Sequence, residues 1–177
     1  MTNSSSESSV TLSPAEPSPA APTIRRLEAG DRQPLERILQ AVGVFTPEEI
    51  RVALELIDEA IAKPDGDYRA LGIVAANGIL GYTCYGHAPF TEFAYDLYWI
   101  AVDPAVQGTG AARRLMAATE ESVVSLGGKL LLVETASKPS YARTRRFYEA
   151  LHYREVARIR DYYAAGDDKI VSEKRWP

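Results

Sequence analysis

A chain of 177 residues with 46% apolar and 25% charged side chains can bury one ordinary core, the signature of a single soluble globular domain. Its net charge of -4 and isoelectric point near 5.3 predict no general attraction to nucleic acid or an anionic membrane. A lone cysteine, Cys84, excludes an internal disulfide, and two histidines starve a zinc site, so a reducing compartment and no structural metal are expected.

Residues 1–22, MTNSSSESSVTLSPAEPSPAAP, hold seven Ser and four Pro with almost no large apolar side chains, too little burial to offset the entropy of ordering, and a disordered tail is expected there. No Lys or Arg precedes Arg25 and no apolar run nears the roughly 18 residues of a membrane span, so a cytoplasmic location is the expectation. The domain proper is expected over residues 23–177. It opens with a short strand, TIRR, followed by RQPLERILQAV, where Leu35, Ile38, Leu39 and Val42 recur at helical spacing. A second helix starts where Thr46 can cap, Pro47 takes the first position and Glu49 lies three residues on, and it runs to about Ala62. Two β-rich runs around Asn77-Gly78 predict a hairpin. AYDLYWIAV follows as a third strand in this stretch, then a helix of about 17 residues, then KLLLVET, whose continuous apolar run predicts burial on both faces. KPSYARTRRFYEAL is helical in pattern, and YREVARIRDYY pairs with DKIVSEKRW across a Gly-Asp turn. The order β-α-α-β-β-β-α-β-α-β-β describes one mixed α/β domain: a mostly antiparallel sheet of six or seven strands, one parallel βαβ unit and flanking helices.

The segment VDPAVQGTGAARRLM, residues 102–116, joins the strand to the long helix through two glycines. The first amides of that helix have no intrahelical partner and the positive end of its dipole faces the loop, which makes an anion site. Gly108 and Gly110 allow an anion closer to the main chain than a Cβ would, and allow positive φ. Arg113 and Arg114, in the first turn, oppose the dipole unless an anion is bound; Glu120 and Glu121 later in the helix also sit against it without evident reason. Gly110-Ala111-Ala112 lacks the Lys and Ser/Thr of a phosphate-binding P-loop, which excludes a nucleotide triphosphatase of that type. The dinucleotide pattern G-x-G-x-x-G is half met, with Arg113 at its third glycine and Glu134 near its acidic position, but antiparallel strands come first, where a dinucleotide fold begins with parallel units.

The run Val102-x-Pro104-x-x-Gln107-Gly108-x-Gly110-x-Ala112 resembles the acyl-CoA diphosphate loop of GNAT-type N-acetyltransferases, and with the element order the resemblance spans roughly residues 23–176. It implies that Gln107, Gly108, Thr109, Gly110, Ala111 and Ala112 hold the diphosphate of coenzyme A, and that the strand edge at Ile100, Ala101 and Val102 pairs with the pantetheine amides. The family's second pattern, Asn-x-x-Ala-x-x-Phe-Tyr, is met at Phe147 and Tyr148, while Tyr141 and Thr144 replace its Asn and Ala, and His152 replaces the frequent glycine of that helix end.

Acetyl transfer needs a neutral amine, stabilisation of a tetrahedral oxyanion and a proton for the departing thiolate. Tyr148, a phenol protonated at pH 7, can supply that proton, and the resemblance implies the same role. Asp96, six residues before Val102, and Glu134 on the neighbouring strand are equal candidates for a base, each acting through water or with a raised pKa. A backbone amide near Val102 is the expected oxyanion donor. Tyr85 with His87, and Asp161, Tyr162 and Tyr163 beside a turn, suit a cationic amine pocket or, equally, ordinary turn chemistry. Cys84 lies outside both patterns and has no evident His partner, so direct transfer in a ternary complex is expected. The acceptor is a small amine, an amino acid, an amino sugar or a protein amino group; acetyl-CoA is the co-substrate and a homodimer is conceivable. A non-catalytic acyl-CoA sensor is the alternative.

Overall fold

Apolar runs of period 2 and stripes of period 3.6 become strands and helices in the computed structural model, which describes residues 21–177. All but Ala21 and Pro22 of the expected tail lies outside them. The strands are β1 (Thr23–Arg26), β2 (Arg69–Ala75), β3 (Gly78–His87), β4 (Ala94–Val102), β5 (Leu130–Ala136), β6 (Arg154–Ala164) and β7 (Asp167–Arg175). The helices are α1 (Arg32–Val42), α2 (Pro47–Ala62), α3 (Ala111–Ser125) and α4 (Ala142–Glu149). None of the described helices is long and apolar enough to cross a membrane.

The local signals act as expected at most ends. Thr46 Oγ1 accepts from the Glu49 amide at 3.2 Å while Glu49 Oε2 accepts from the Thr46 amide at 2.7 Å, a reciprocal cap that starts α2. The hairpin turn is Ala76-Asn77, one residue earlier than Asn77-Gly78, because Gly78 at φ +117° pairs with Ala75 as the first residue of β3. α4 ends in a Schellman motif: the Tyr153 amide donates to the Tyr148 carbonyl at 3.0 Å, and the His152 amide to Glu149 at 2.9 Å. His152 holds φ +68° there, a conformation that glycine adopts without penalty.

The seven strands form one sheet in the order β1-β2-β3-β4-β5-β7-β6, with β4 and β5 the only parallel neighbours among the described residues. α1 and α2 cover one face, packing Leu35, Leu39, Ala53 and Ile57 on Ala70, Tyr82, Cys84 and Ala101. α3 and α4 cover the other, where Met116, Val123 and Tyr148 meet Leu97, Leu131 and Val133. β5 departs from its expected burial on both faces. Leu132 is half-buried and Glu134 exposed, because α1 and α2 pack over β2 to β4 and leave that face of β5 open. Glu120, puzzling in the sequence, finds partners across the fold: Lys174 Nζ at 2.6 Å and the Tyr153 hydroxyl at 3.1 Å. These contacts outweigh the weak dipole penalty.

Candidate functional site

Parallel pairing between β4 and β5 stops after four residues, at Leu97 opposite Val133. Beyond it β5 continues with β7 alone, while β4 continues with β3 alone, so the sheet splays and the β5-facing edge of Tyr98–Val102 has no strand partner. Tyr98 is an extra residue in β4, for Cys84 pairs with Trp99 and Tyr85 with Leu97. Such a bulge re-aims side chains and frees a backbone amide. A cleft of about 960 Å³ occupies the splay, floored by Leu97–Val102 and walled by the α1–α2 corner, the loop before α3, the end of β5 and α4.

The loop is built for an anion. Asp103 Oδ1 accepts from the Ala105 amide at 2.8 Å and sets a short turn at Pro104–Val106. Gly108 and Gly110 then take φ +83° and +90°, and apart from the adjoining chain nothing among the described residues lies within 4 Å of where their Cβ atoms would sit. The left-handed backbone demands glycine there, and the space beside it stays open to a guest. Gly110 caps α3 without a side chain, so the amides of its first turn are left for a ligand. Arg113 lines the cleft, whereas Arg114 is turned away and donates to the Pro22 carbonyl. Opposite, Arg143 of α4 donates to Gln107 Oε1 at 2.8 Å and ties α4 to the loop.

Tyr148 is 6% exposed and reaches the cleft from α4, its ring 5.4 Å from Phe147 and 5.5 Å from Tyr153. Burial, with Tyr141 nearby, holds its phenolic proton well above the ordinary range. Glu134 lines the cleft and is paired with Lys169 Nζ at 2.6 Å. Asp96, on β4 opposite Leu132, stands beside it on the same face without lining the cleft. Burial, then the Glu134 charge, raise its carboxyl above the usual range, and Lys169 pulls the other way. Cys84 is fully buried and its thiol is pushed up to about 12 by burial, then by Glu59, which leaves it no role as a nucleophile.

Ile100, Ala101, Val102, Gln107, Gly108, Gly110, Ala111, Ala112, Arg113, Glu134, Tyr148 and Tyr163 all line the one cleft. Thr109 sits in the loop but turns its hydroxyl to the Val106 carbonyl at 2.7 Å. Tyr162 is exposed beside the cleft, with Lys169 over its ring at 4.9 Å. Tyr85 is elsewhere: it points to the α3 face and donates to Ser122 Oγ at 2.6 Å, because strand alternation puts it opposite Tyr82 and Cys84. Phe45, Glu49, Trp99, Tyr141 and Arg143 also line the cleft, beyond the residues expected from the sequence. Of these only Tyr141 carried a signal, as a departure from the second pattern; the rest look like core or solvated side chains until the chain folds.

Residues 67–155 match the family model described as an acetyltransferase (GNAT) domain. No curated protein sequence matches significantly. Among solved structures, a GNAT-family protein of Desulfovibrio desulfuricans is similar at 40% identity over 88% of this chain and 99% of its own, with a TM-score of 0.83. The ribosomal-protein-S18-alanine N-acetyltransferase of Escherichia coli is similar in fold at 22% identity, over 87% of this chain and 93% of its own, with a TM-score of 0.68. So is YncA of Salmonella typhimurium, solved with acetyl-CoA, at 17% identity over 88% and 94% with a TM-score of 0.69.

Proposed function

This chain belongs to the GNAT family of acetyltransferases, and from that premise we propose that it moves the acetyl group of acetyl-CoA onto a primary amine by direct attack with both substrates bound. The observation that carries the reading is a single cleft into which an unpaired strand edge, a glycine loop with free amides and a buried phenol all open. The loop from Gln107 to Ala112 holds the diphosphate through the amides of Gly108, Gly110, Ala111 and Ala112, those of Gln107 and Thr109 being bonded to the Pro104 and Val106 carbonyls; Arg113 and Arg143 flank it, and the edge at Ile100–Val102 pairs with the pantetheine amides. Acetyl-CoA supplies an activated acetyl thioester; the chain supplies position, charge and a proton path. Asp96 or Glu134 takes the proton of an arriving ammonium through water, and burial, by raising the Asp96 carboxyl, makes it a better base than an ordinary aspartate. A backbone amide freed at the Tyr98 bulge faces the negative charge that grows on the carbonyl oxygen. Tyr148 donates to the departing sulfur and is reprotonated from the nitrogen that loses its proton in the same step, so the phenol ends unchanged.

A thiol-release assay with acetyl-CoA and a panel of amines tests this. Intersecting initial-rate lines are the expected result, since both substrates must be bound together; parallel lines or an acetylated protein would overturn direct transfer. Acetyl-CoA binding without thiol release from any acceptor would leave a sensor.

A further inference from the structure

The cleft passes through the sheet, and its two openings differ in chemistry. The α3 and α4 side is cationic, with Arg113 and Arg143 beside the glycine loop. On the α1 and α2 side the walls are aromatic and acidic: Phe45 and Glu49 from the helix corner, Tyr98 and Trp99 from β4, Glu134 from β5, and Tyr163. Phe45 and Trp99 meet edge to face at 5.1 Å, which presents a rigid apolar wall. Lys138, which lines the cleft, lies over the Tyr141 ring at 5.3 Å and faces Asp167 at 3.9 Å, and Lys169 is paired with Glu134, so both cations are already engaged. Glu49 is fixed by the bond that its Oε2 accepts from the Thr46 amide, and its other carboxylate oxygen has no partner among the described residues. A reacting amine must shed its charge before it attacks, so a carboxylate held away from the reacting carbon rewards a different positive group on the same acceptor.

Resting on the transfer reading above, we infer that the acceptor is a small amine with a second ammonium group, an aliphatic diamine or polyamine, whose unreacted cation is held by Glu49 against the Phe45 and Trp99 rings. The reacting amine lies toward the Tyr98 bulge and the distal ammonium toward the Glu49 carboxylate, whose charge offsets the positive end of the α2 dipole.

Three acceptors of matched length test this with saturating acetyl-CoA: 1,4-diaminobutane, n-butylamine and 4-aminobutyrate. The diamine is expected to exceed butylamine by about tenfold or more in kcat/KM, the value of one ammonium–carboxylate hydrogen bond, with aminobutyrate below both. Glu49→Gln, which preserves the side chain's length and its capping oxygen, is expected to bring the diamine-to-butylamine ratio close to one. Equal use of butylamine or aminobutyrate, or a ratio unchanged in the variant, would overturn the diamine assignment while leaving acetyl transfer standing. Release of thiol with a peptide α-amine but none of the three would do the same. No release with any acceptor, in a protein that binds acetyl-CoA, would instead remove the transfer reading on which the assignment rests.

Discussion

At the scale of single residues, the fate of Tyr148 turns on what its burial does to it. A phenol held above its ordinary pKa is never ionised near neutral pH, so it is always ready to donate, yet it cannot keep the negative charge it would gain by giving its proton away. In the proposed mechanism it therefore acts as a relay. Tyr148→Phe removes the relay while the Phe147 and Tyr153 rings still fill the space around it. The expected outcome is a fall in kcat of about 10² to 10⁴, the usual worth of a positioned acid, with the acetyl-CoA Kd unchanged by calorimetry. Normal turnover in the variant would hand the proton to water. Gly108 and Gly110 are more readable than Tyr148, because positive φ leaves few residue types to choose from, whereas a tyrosine beside Phe147 in a helix looks the same whether it packs or reacts. Arg143 is not readable at all: its partner Gln107 is 36 residues away in sequence.

At the scale of elements, the caps decide how firmly the site is held. The Schellman bond into the Tyr148 carbonyl fixes the end of α4, yet the residue in the left-handed position is His152. His152→Gly is expected to stabilise the protein by about 1 kcal/mol, the strain relieved less the entropy that glycine adds, and to raise Tm by about 2 to 4 °C by calorimetry. No rise would mean that the His152 side chain offsets its own strain. At the other end of the chain β1 is tied to α1 by Asp31, which accepts two hydrogen bonds from Arg25 at 2.6 and 2.9 Å and one from the Glu28 amide at 2.8 Å. Burial alone would raise this carboxyl, but the bonds from Arg25 and Glu28 more than reverse it and leave it below the usual range. A depressed carboxyl contributes stability that is complete above its unfolded value, about pH 4, and is lost as pH falls through the folded one. Asp31→Asn should thus lower the urea midpoint at pH 7, by about 1 to 3 kcal/mol of stability, and the gap from wild type should narrow at pH 3. A gap that stays constant with pH would deny the ion pair its part. Element order and most caps are legible in the sequence because they rest on contacts within a few residues, Thr46 with Glu49 being an example. Register is not: the bulge at Tyr98 depends on which strand lies alongside, and only the assembled sheet shows that the buried face Tyr85 shares is the α3 face and not the cleft.

At the scale of the whole molecule, the cleft sits on a seam. β1 to β4 form one half of the sheet and β5, β7 and β6 the other, and the halves are joined by four paired residues, Ala94–Leu97 with Leu130–Val133. Past that point the sheet opens, and the cleft takes one wall from each half: the β4 edge and the loop before α3 on one side, the end of β5 and α4 on the other. A ligand lying there does more than fill a groove, because it adds a bridge to those made by the short pairing, the packing of α3 on β5 with its Glu120–Lys174 ion pair, the Arg143 contact with Gln107 and the α4 ring cluster. Binding to the folded state alone adds about 2.7 kcal/mol at a ligand concentration a hundred times Kd, which for a domain of this size is about 5 to 11 °C in Tm. Bridging makes a sharper claim about where that stability appears. Acetyl-CoA should slow amide exchange in residues 107–113 and, to a similar degree, in α4 from Ala142 to Glu149, the two segments that the Arg143–Gln107 bond joins and that flank the proposed diphosphate position. Hydrogen exchange followed by mass spectrometry reads both segments in one experiment. Protection confined to the loop, with α4 exchanging as in the free protein, would mean that the co-substrate rests on one half of the sheet and that the seam plays no part in holding it.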